Sequence, residues 1–130
     1  MLNRIHHTAI ICSDYEKSKA FYTNVLGLEI INETYRSARE SFKLDLALKG
    51  VYIIELFSFP NPPARTSRPE AAGLRHIAFE VDDIDEEIVR LNKAGIVTEP
   101  IRIDEITHQR FTFFADPDNL PIELYEKRSL

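Results

Sequence analysis

The sequence has a single cysteine, Cys12, in 130 residues, so no internal disulfide bond can form. Small secreted domains often depend on several disulfides, whereas proteins of a reducing compartment seldom form them. A lone cysteine at the end of an apolar run is more often a small buried side chain than a reactive thiol. We therefore expect a cytoplasmic protein.

Positive charge is also scarce. The chain has 16 lysine and arginine residues against 21 aspartate and glutamate residues, which gives a net charge of −5. No basic run stands out, and a protein that binds nucleic acid or an anionic membrane needs a cationic face. The sequence therefore predicts neither partner, and a small molecule is the expected ligand.

Long apolar runs are absent as well. The start of the chain, MLNRIHHTAIICSD, has too short an apolar core for a signal peptide or a membrane span. With 44% hydrophobic and 28% charged residues, the composition is typical of a globular protein. We expect one domain over residues 1–130.

In place of these features the chain has an order of elements that occurs twice. Residues 5–12 favour a strand, and residues 13–27 favour a helix that Ser13 or Asp14 caps and Gly27 ends. The buried stripe of this helix is predicted at Ala20, Phe21, Val25 and Leu26. Three strand-like runs follow the helix.

A proline-rich connector separates the two occurrences. Residues 60–72 include four prolines and no apolar run, which is typical of a surface segment. After it, a strand, a helix with Asp82 or Asp83 near its cap, and three strand-like runs follow again. The sequence thus predicts an α+β fold of two βαβββ modules, at residues 4–59 and 73–127.

Aligning the two halves superimposes two histidines and two glutamates. His7 aligns with His76, 69 residues later, and Glu55 aligns with Glu123, 68 residues later, each glutamate within an Ile-Glu-Leu tripeptide. Two modules packed about a pseudo-two-fold axis would bring these four side chains around that axis. Imidazole nitrogens and carboxylate oxygens are usual ligands of divalent first-row metals. Taken singly, each histidine is more often a core residue and each glutamate a solvated one. Because the two histidines and the two glutamates occupy equivalent positions in the two halves, a metal site is the favoured interpretation of all four.

The neighbouring histidines His6 and His7 are expected to differ in role. Adjacent side chains of a strand point to opposite faces. His7 should therefore face the metal site together with Ile5 and Ala9. We expect His6 to point to the other face, as a structural or solvated residue.

The chain contains the segments HHTAIICSDYEKSKAFYTNVLGLEI, YIIEL, GLRHIAFEV and FADPDNLPIELYE. Together they resemble the vicinal oxygen chelate superfamily and, within it, the bacterial glyoxalase I-like proteins. The resemblance covers almost the whole chain apart from the connector, and it is specific for the superfamily but for no substrate. It implies paired βαβββ modules whose mixed sheets curl into a cup around a divalent metal.

The resemblance also implies roles for individual residues. The metal ligands would be His7, Glu55, His76 and Glu123, with one divalent ion per site. In glyoxalase I-like enzymes the metal binds the oxygens of a hemithioacetal and stabilises an enediolate, while a ligand glutamate moves the proton between the carbons. Glu123 matches that glutamate, and Glu55 is its counterpart. Positive charge beside adjacent oxygens lowers the barrier to this reaction, and a glutamate is a suitable general base.

Several expectations about the assembled protein follow. We expect a lactoylglutathione lyase-like enzyme that acts on a small α-carbonyl compound or its thiol adduct, and a homodimer. An octahedral site with two waters favours nickel or cobalt, with zinc or manganese as alternatives, because zinc more often stays four-coordinate in proteins.

The chain departs from bacterial glyoxalase I at two substrate positions. Ile11 stands where those proteins carry an arginine that contacts glutathione, and Phe59 stands where they carry an asparagine. Both departures weaken the case for glutathione as the thiol. Other residues offer polar groups for a substrate, although a surface role is commoner for each: Arg36, Arg39 and Arg110 for a carboxylate or phosphate, and His108 from a loop.

Three other functions stay open. The acyl-thioester epimerases that this chain resembles carry an amide where Glu55 stands. Ring-cleaving dioxygenases bind iron with two histidines and one carboxylate and keep the other positions open, whereas Glu55 would fill one of them. Non-enzymatic drug-binding members of the superfamily commonly lack the metal ligands, all four of which are present here.

Overall fold

The computed structural model divides into two units, Met1–Ala64 and Arg65–Leu130. It describes residues 1–128, so the last two residues of the predicted 1–130 domain lie outside the described residues. The division falls within the predicted connector of residues 60–72, and each unit has its own sheet and its own helix. No helix among the described residues is both long enough and apolar enough to cross a membrane.

The first unit is a mixed four-stranded sheet with a helical segment after its first strand. Its elements are β1 (Thr8–Cys12), α1 (Tyr15–Ala20), β2 (Glu29–Arg36), β3 (Ser41–Leu48) and β4 (Val51–Ser58). The strands lie in the order β1-β4-β3-β2, with β1 parallel to β4 and the other neighbours antiparallel. The predicted strand, helix and three strands are all present, although β1 begins only at Thr8.

The helical segment buries a different row of side chains from the predicted one. Asp14 caps α1, because its carboxylate accepts a hydrogen bond from the backbone N–H of Lys17. Tyr15, Ser18 and Tyr22 are buried, at the three- and four-residue spacing of one helix face. The prediction of Ala20 in this stripe was wrong, because Ala20 lies two residues from both Ser18 and Tyr22 and is exposed.

Beyond Ala20 the segment continues as a wider, π-helical turn over Phe21–Val25. Phe21 is buried as predicted, whereas Val25 and Leu26 are half-buried. Gly27 then takes a φ of +78°, a left-handed conformation that glycine adopts without steric cost. The predicted end of the helical segment is confirmed.

The second unit repeats the architecture of the first. Its elements are β5 (Ile77–Val81), α2 (Ile84–Lys93), β6 (Arg102–Ile103), β7 (Arg110–Ala115) and β8 (Pro121–Glu126). The strand order is β5-β8-β7-β6, with β5 parallel to β8. The β6 strand has only two residues, and Pro100, two residues before it, has no N–H to donate to a neighbouring strand. The α+β fold with two βαβββ modules is confirmed.

The two sheets pair their first and last strands in equivalent registers. Ala9 pairs with Glu55 across β1 and β4, and Ala78 pairs with Glu123 across β5 and β8. His7 and His76 each lie two residues before the paired alanine. Each histidine precedes the first strand of its sheet and lies within 4 Å of the glutamate of that sheet. The residues that flank the two glutamates are buried: Ile54, Leu56, Ile122 and Leu124.

Candidate metal centre

The first histidine–glutamate pair lies at the start of β1 in the first unit. The Nε2 atom of His7 is 3.8 Å from Oε1 of Glu55, and the Glu55 side chain is 15% exposed. Ile54 and Leu56, the neighbours of Glu55 in β4, are buried, and adjacent side chains of a strand point to opposite faces. The carboxylate therefore lies in the middle of an apolar strand, on the face opposite to its two buried neighbours.

A polar network fixes the other oxygen of Glu55. The hydroxyl of Tyr52 shares its one hydrogen between Asp45 Oδ1, at 2.8 Å, and Glu55 Oε2, at 3.0 Å. The ammonium group of Lys43 lies 3.4 Å from Glu55 Oε2 and 2.7 Å from Asp45 Oδ1. With Oε2 occupied in this way, Oε1 is the oxygen that faces His7.

Two members of the network, Tyr52 and Lys43, have raised pKa values. Burial, followed by the hydrogen bonds to Asp45 and Glu55, raises the pKa of the Tyr52 hydroxyl. The hydrogen bond to Asp45 raises the pKa of the Lys43 ammonium group. Lys43 therefore stays charged and Tyr52 stays a donor at neutral pH. The sequence analysis did not identify Lys43, Asp45 or Tyr52 as part of the site. A signal was present for two of them, because Lys43 and Asp45 alternate with buried leucines in β3 and so lie on the face that carries Glu55.

The second histidine–glutamate pair, in the second unit, is closer. The Nε2 atom of His76 is 2.9 Å from Oε2 of Glu123, whose side chain is 12% exposed. The Nδ1 atom of His76 is buried and has no hydrogen-bond partner among residues 1–128. A histidine with a purely structural role normally has both ring nitrogens satisfied when it is buried. One unsatisfied ring nitrogen therefore argues against a purely structural role for His76.

The surroundings of the two glutamates differ. Asp45 pairs with Glu55 across β3 and β4, whereas Phe113 pairs with Glu123 across β7 and β8. Lys43 lies two residues before Asp45 in β3, and Phe111 lies two residues before Phe113 in β7. Phe111 is therefore the counterpart of Lys43. The ring of Phe113 also packs edge-on against His76, with centroids 5.1 Å apart. Glu55 is thus held by a cation and a phenol, while aromatic rings stand at the equivalent positions beside Glu123.

The donor atoms fit a divalent metal. Each unit offers one imidazole nitrogen and one carboxylate oxygen within 4 Å of each other, which is the nitrogen and oxygen chemistry that such ions bind. Among residues 1–128, no cluster of three or more histidine, cysteine, aspartate or glutamate side chains has an arrangement that could hold a metal ion. The structure places the four predicted ligands in two pairs, one pair within each unit, and their role as metal ligands stays a prediction.

His6 does not point away from His7 as expected. Its Nδ1 lies 2.9 Å from Nδ1 of His7, and both rings contact Tyr52, with centroid distances of 5.3 Å for His6 and 5.1 Å for His7. The expectation was wrong because β1 begins at Thr8, so the alternation of a strand does not reach the two histidines. Of the two, His7 is the one that lies within 4 Å of Glu55.

The three arginines and the loop histidine that were candidate substrate contacts, with a surface role expected more often, have the following surroundings. Arg110 donates two hydrogen bonds to Glu126, at 2.9 and 2.8 Å, and lies 3.0 Å from Asp85. Its guanidinium is therefore already neutralised by two carboxylates. Arg36 donates to Ser41 and stacks over Phe57, Arg39 is exposed over Phe59, and His108 is exposed.

Comparison with known proteins places this geometry in a family. The model of the Glyoxalase/Bleomycin resistance protein/Dioxygenase superfamily matches residues 4–124. The uncharacterized protein YwkD of Bacillus subtilis (strain 168) is 64% identical and covers 98% of this chain and 99% of its own length. The crystal structure of SMU.1112c superposes with a TM-score of 0.91 at 43% identity, covering 97% of this chain and 100% of that one.

More distant relatives include enzymes. Lactoylglutathione lyase of Salmonella typhimurium is 31% identical and covers 96% of this chain and 93% of its own length. The mitochondrial methylmalonyl-CoA epimerase of Homo sapiens is 30% identical and covers 89% of this chain and 68% of its own length. The similarity therefore extends to more than one activity.

Proposed function

The chain belongs to the Glyoxalase/Bleomycin resistance protein/Dioxygenase superfamily, and from this premise we propose that it is a metal-dependent glyoxalase I-like lyase or isomerase. Its substrate would be a small α-carbonyl compound or the thiol hemithioacetal of one. The observation that carries the proposal is the pairing of a histidine with a glutamate at equivalent positions of both sheets. The similarity to lactoylglutathione lyase supports it.

In this proposal His7, Glu55, His76 and Glu123 are the protein ligands of one divalent ion per site. The two modules and the connector would then act as one functional domain. Nickel or cobalt is favoured for a donor set of two imidazoles and two carboxylates with places left for water, and zinc or manganese are the alternatives. When bound, the ion would supply a fixed positive charge beside two adjacent oxygens of the substrate.

The proton transfer is assigned to Glu123. Glu55 accepts a hydrogen bond from Tyr52 and lies beside the Lys43 ammonium group, so one of its oxygens is already engaged. Glu123 has Phe113 at the position equivalent to Asp45. A carboxylate that is less constrained by cations is the better group to accept and return a proton. Glu123 would take a proton from one substrate carbon and deliver it to the adjacent carbon, while Glu55 stays a ligand.

An acyl-thioester epimerase is the second candidate. The observation that favours it is the 30% identity to methylmalonyl-CoA epimerase. An epimerase would remove the proton on the carbon next to the thioester carbonyl and return a proton to the opposite face of the same carbon, a reaction that also uses carboxylate bases. Glu55 counts against it, because the epimerases that this chain resembles have an amide at that position.

A direct assay distinguishes the glyoxalase I-like lyase from the acyl-thioester epimerase. Metal-loaded protein would be incubated with the methylglyoxal hemithioacetals of glutathione and of other bacterial thiols, and in parallel with one stereoisomer of methylmalonyl-CoA. Thioester formation from a hemithioacetal is the expected result. Stereoisomer exchange in methylmalonyl-CoA with no thioester formed from any hemithioacetal would replace the lyase by the epimerase.

We also propose a homodimer that acts in the cytoplasm. Large apolar side chains stay exposed in the first unit, among them Ile11 at 55% and Ile31 at 53%, and exposed apolar surface is what a protein interface covers. The single, buried Cys12 suits a reducing compartment. Sedimentation equilibrium tests the assembly, with twice the 15.0 kDa mass of the chain expected.

A further inference from the structure

A cavity of about 200 Å³ lies in the second unit, next to His76. Its charged lining residues are Arg65, Arg68, Arg75, Arg102, Glu70 and Glu99. Four arginines against two glutamates give the lining a net charge of +2, although the whole chain carries −5. Positive charge is therefore concentrated at one place in an acidic protein.

Arg65 is held in a fixed orientation on one side of the cavity. Its Nε donates to Ser67 Oγ at 2.7 Å, and its Nη2 donates to the Leu74 carbonyl at 3.1 Å. Ser67 in turn donates to the carbonyl of Asn119 at 3.1 Å, which ties the connector to the turn before β8. The Arg65 Nη1 has no hydrogen-bond partner within residues 1–128. Two of its nitrogens are thus used for positioning, and one is left for a ligand.

Arg102 links the cavity to the candidate metal centre. Its guanidinium stacks over the rings of Phe111 and Phe113, 5.1 and 5.4 Å from their centroids. Phe113 is the ring that packs against His76. Arg102 lies 3.7 Å from Glu99, but both side chains are about half exposed, and exposed ion pairs of this kind are weak. An anion with better geometry would displace Glu99 readily.

The two remaining arginines have little competition for a ligand. Arg68 is exposed, and its charge acts on Glu70, the same carboxylate that Arg75 contacts. Arg75 lies 2.9 Å from Glu70, with both side chains more than 60% exposed. The cavity therefore combines two positioned guanidinium groups with two exposed ones whose only close acidic neighbour among residues 1–128, Glu70, is itself exposed.

We propose that this cavity binds an oxyanion group, a carboxylate or a phosphate, at one end of the substrate. The identification of that anion as part of the substrate rests on the proposed function. Arginine forks bind both kinds of oxyanion through paired hydrogen bonds. Pockets for drug-sized ligands span roughly 300 to 1,000 Å³, so this cavity accepts a small group and not a whole thiol peptide. The substrate is then a small acid whose adjacent oxygens lie on the His76 side and whose anionic end lies among the arginines.

Isothermal titration of the protein with inorganic phosphate and, separately, with acetate tests this assignment. Saturable binding of one of them is expected, and the double variant Arg68→Gln/Arg102→Gln should weaken it by about tenfold or more, because hydrogen bonds to charged groups are lost. Arg90→Gln removes the same kind of charge from α2, outside the cavity, and should leave the affinity unchanged. Tighter binding of phosphate would identify a phosphorylated substrate, and tighter binding of acetate a carboxylated one.

The assignment is overturned if neither anion binds the unaltered protein, or if the double variant binds as tightly as Arg90→Gln. Elemental analysis of the same samples keeps this outcome separate from the proposed function. Anion binding that depends on Arg68 and Arg102 in a protein that takes up no metal would leave the anion site standing and remove the proposed metal-dependent chemistry. A metal-loaded protein without such binding would remove only the anion site.

Discussion

His76 and Glu123 are 47 residues apart in the chain, yet the Nε2 of one lies 2.9 Å from the Oε2 of the other. The parallel pairing of β5 with β8 produces this contact, because it sets Ala78 opposite Glu123 and His76 two residues before Ala78. The equivalent pairing of β1 with β4 places His7 near Glu55, at 3.8 Å. The repeat therefore produces the same chemical pair twice, once among aromatic rings and once within a charged network.

The aromatic surroundings of Glu123 lead to a prediction about turnover. Glu123→Gln keeps the size of the side chain but removes the group that accepts a proton, so the rate should fall roughly 10²- to 10⁴-fold. The circular dichroism spectrum should stay unchanged. Glu105→Gln, at an exposed position, is the matched control and should keep the full rate. Near-normal turnover by Glu123→Gln would show that another group moves the proton.

The charged network around Glu55 leads to a prediction about metal affinity. Tyr52→Phe removes the hydroxyl that donates to Glu55 and Asp45 while keeping the ring that His7 stacks on. Loss of a group that orients a ligand typically weakens metal binding roughly 10- to 100-fold. Calorimetric titration with nickel measures this, and Tyr35→Phe, at an exposed position, is the control. Equal affinities for both variants would show that the Tyr52 hydroxyl does not position Glu55.

The two neighbouring histidines should respond differently to substitution. His7→Ala should abolish stoichiometric metal uptake, because it removes a ligand, whereas His6→Ala should retain it. Both rings contact Tyr52, so each variant loses one ring contact with Tyr52. A difference in metal uptake between the two variants therefore does not come from the loss of that contact. The metal content of each purified variant decides the matter, and the reverse pattern would assign the ligand to His6.

The ion pair of Arg110 with Glu126 should contribute to stability in a pH-dependent way. The hydrogen bonds from Arg110 are the main cause that lowers the pKa of the Glu126 carboxyl below its ordinary value of 4.5. A lowered pKa in the folded state stabilises the protein above the ordinary pKa, and this contribution is lost as the pH falls through the folded value. Arg110→Gln should therefore unfold at a lower temperature than the unaltered protein at about pH 7, with a smaller difference at about pH 3.

Thermal unfolding followed at both pH values measures this effect. Arg90→Gln, on the exposed face of α2, should show a smaller difference at neutral pH, because its partner Glu87 lies on the same helix and the pair is more exposed. A difference between Arg110→Gln and the unaltered protein that did not change with pH would show that the ion pair does not cause it.

The sequence predicts the two sheets and the two histidine–glutamate pairs, because both follow from the strand pairing of a module that occurs twice. The spacing of His7 to Glu55 nearly equals that of His76 to Glu123, and equivalent strands then impose equivalent registers. The network of Lys43, Asp45 and Tyr52 has no counterpart in the second half, so a comparison of the halves does not reveal it. Its members meet through side chains three to twelve residues from Glu55, which only the folded sheet specifies.

The arginine-lined cavity escaped sequence analysis for a related reason. Three of its arginines, Arg65, Arg68 and Arg75, lie in or next to the proline-rich connector, which has no periodicity to interpret. Arg102 joins them through stacking over Phe111 and Phe113. Arginine positions in irregular segments depend on local hydrogen bonds such as the one from Arg65 to Ser67, and strand and helix patterns do not encode those bonds.

The metal content of the protein tests the central claim most directly. Carefully purified protein, analysed by elemental mass spectrometry before and after incubation with nickel, cobalt, zinc and manganese, should hold about one divalent ion per chain. The double variant His7→Ala/His76→Ala should hold none. Unaltered protein that contains no metal and takes up none of the four ions would contradict the account.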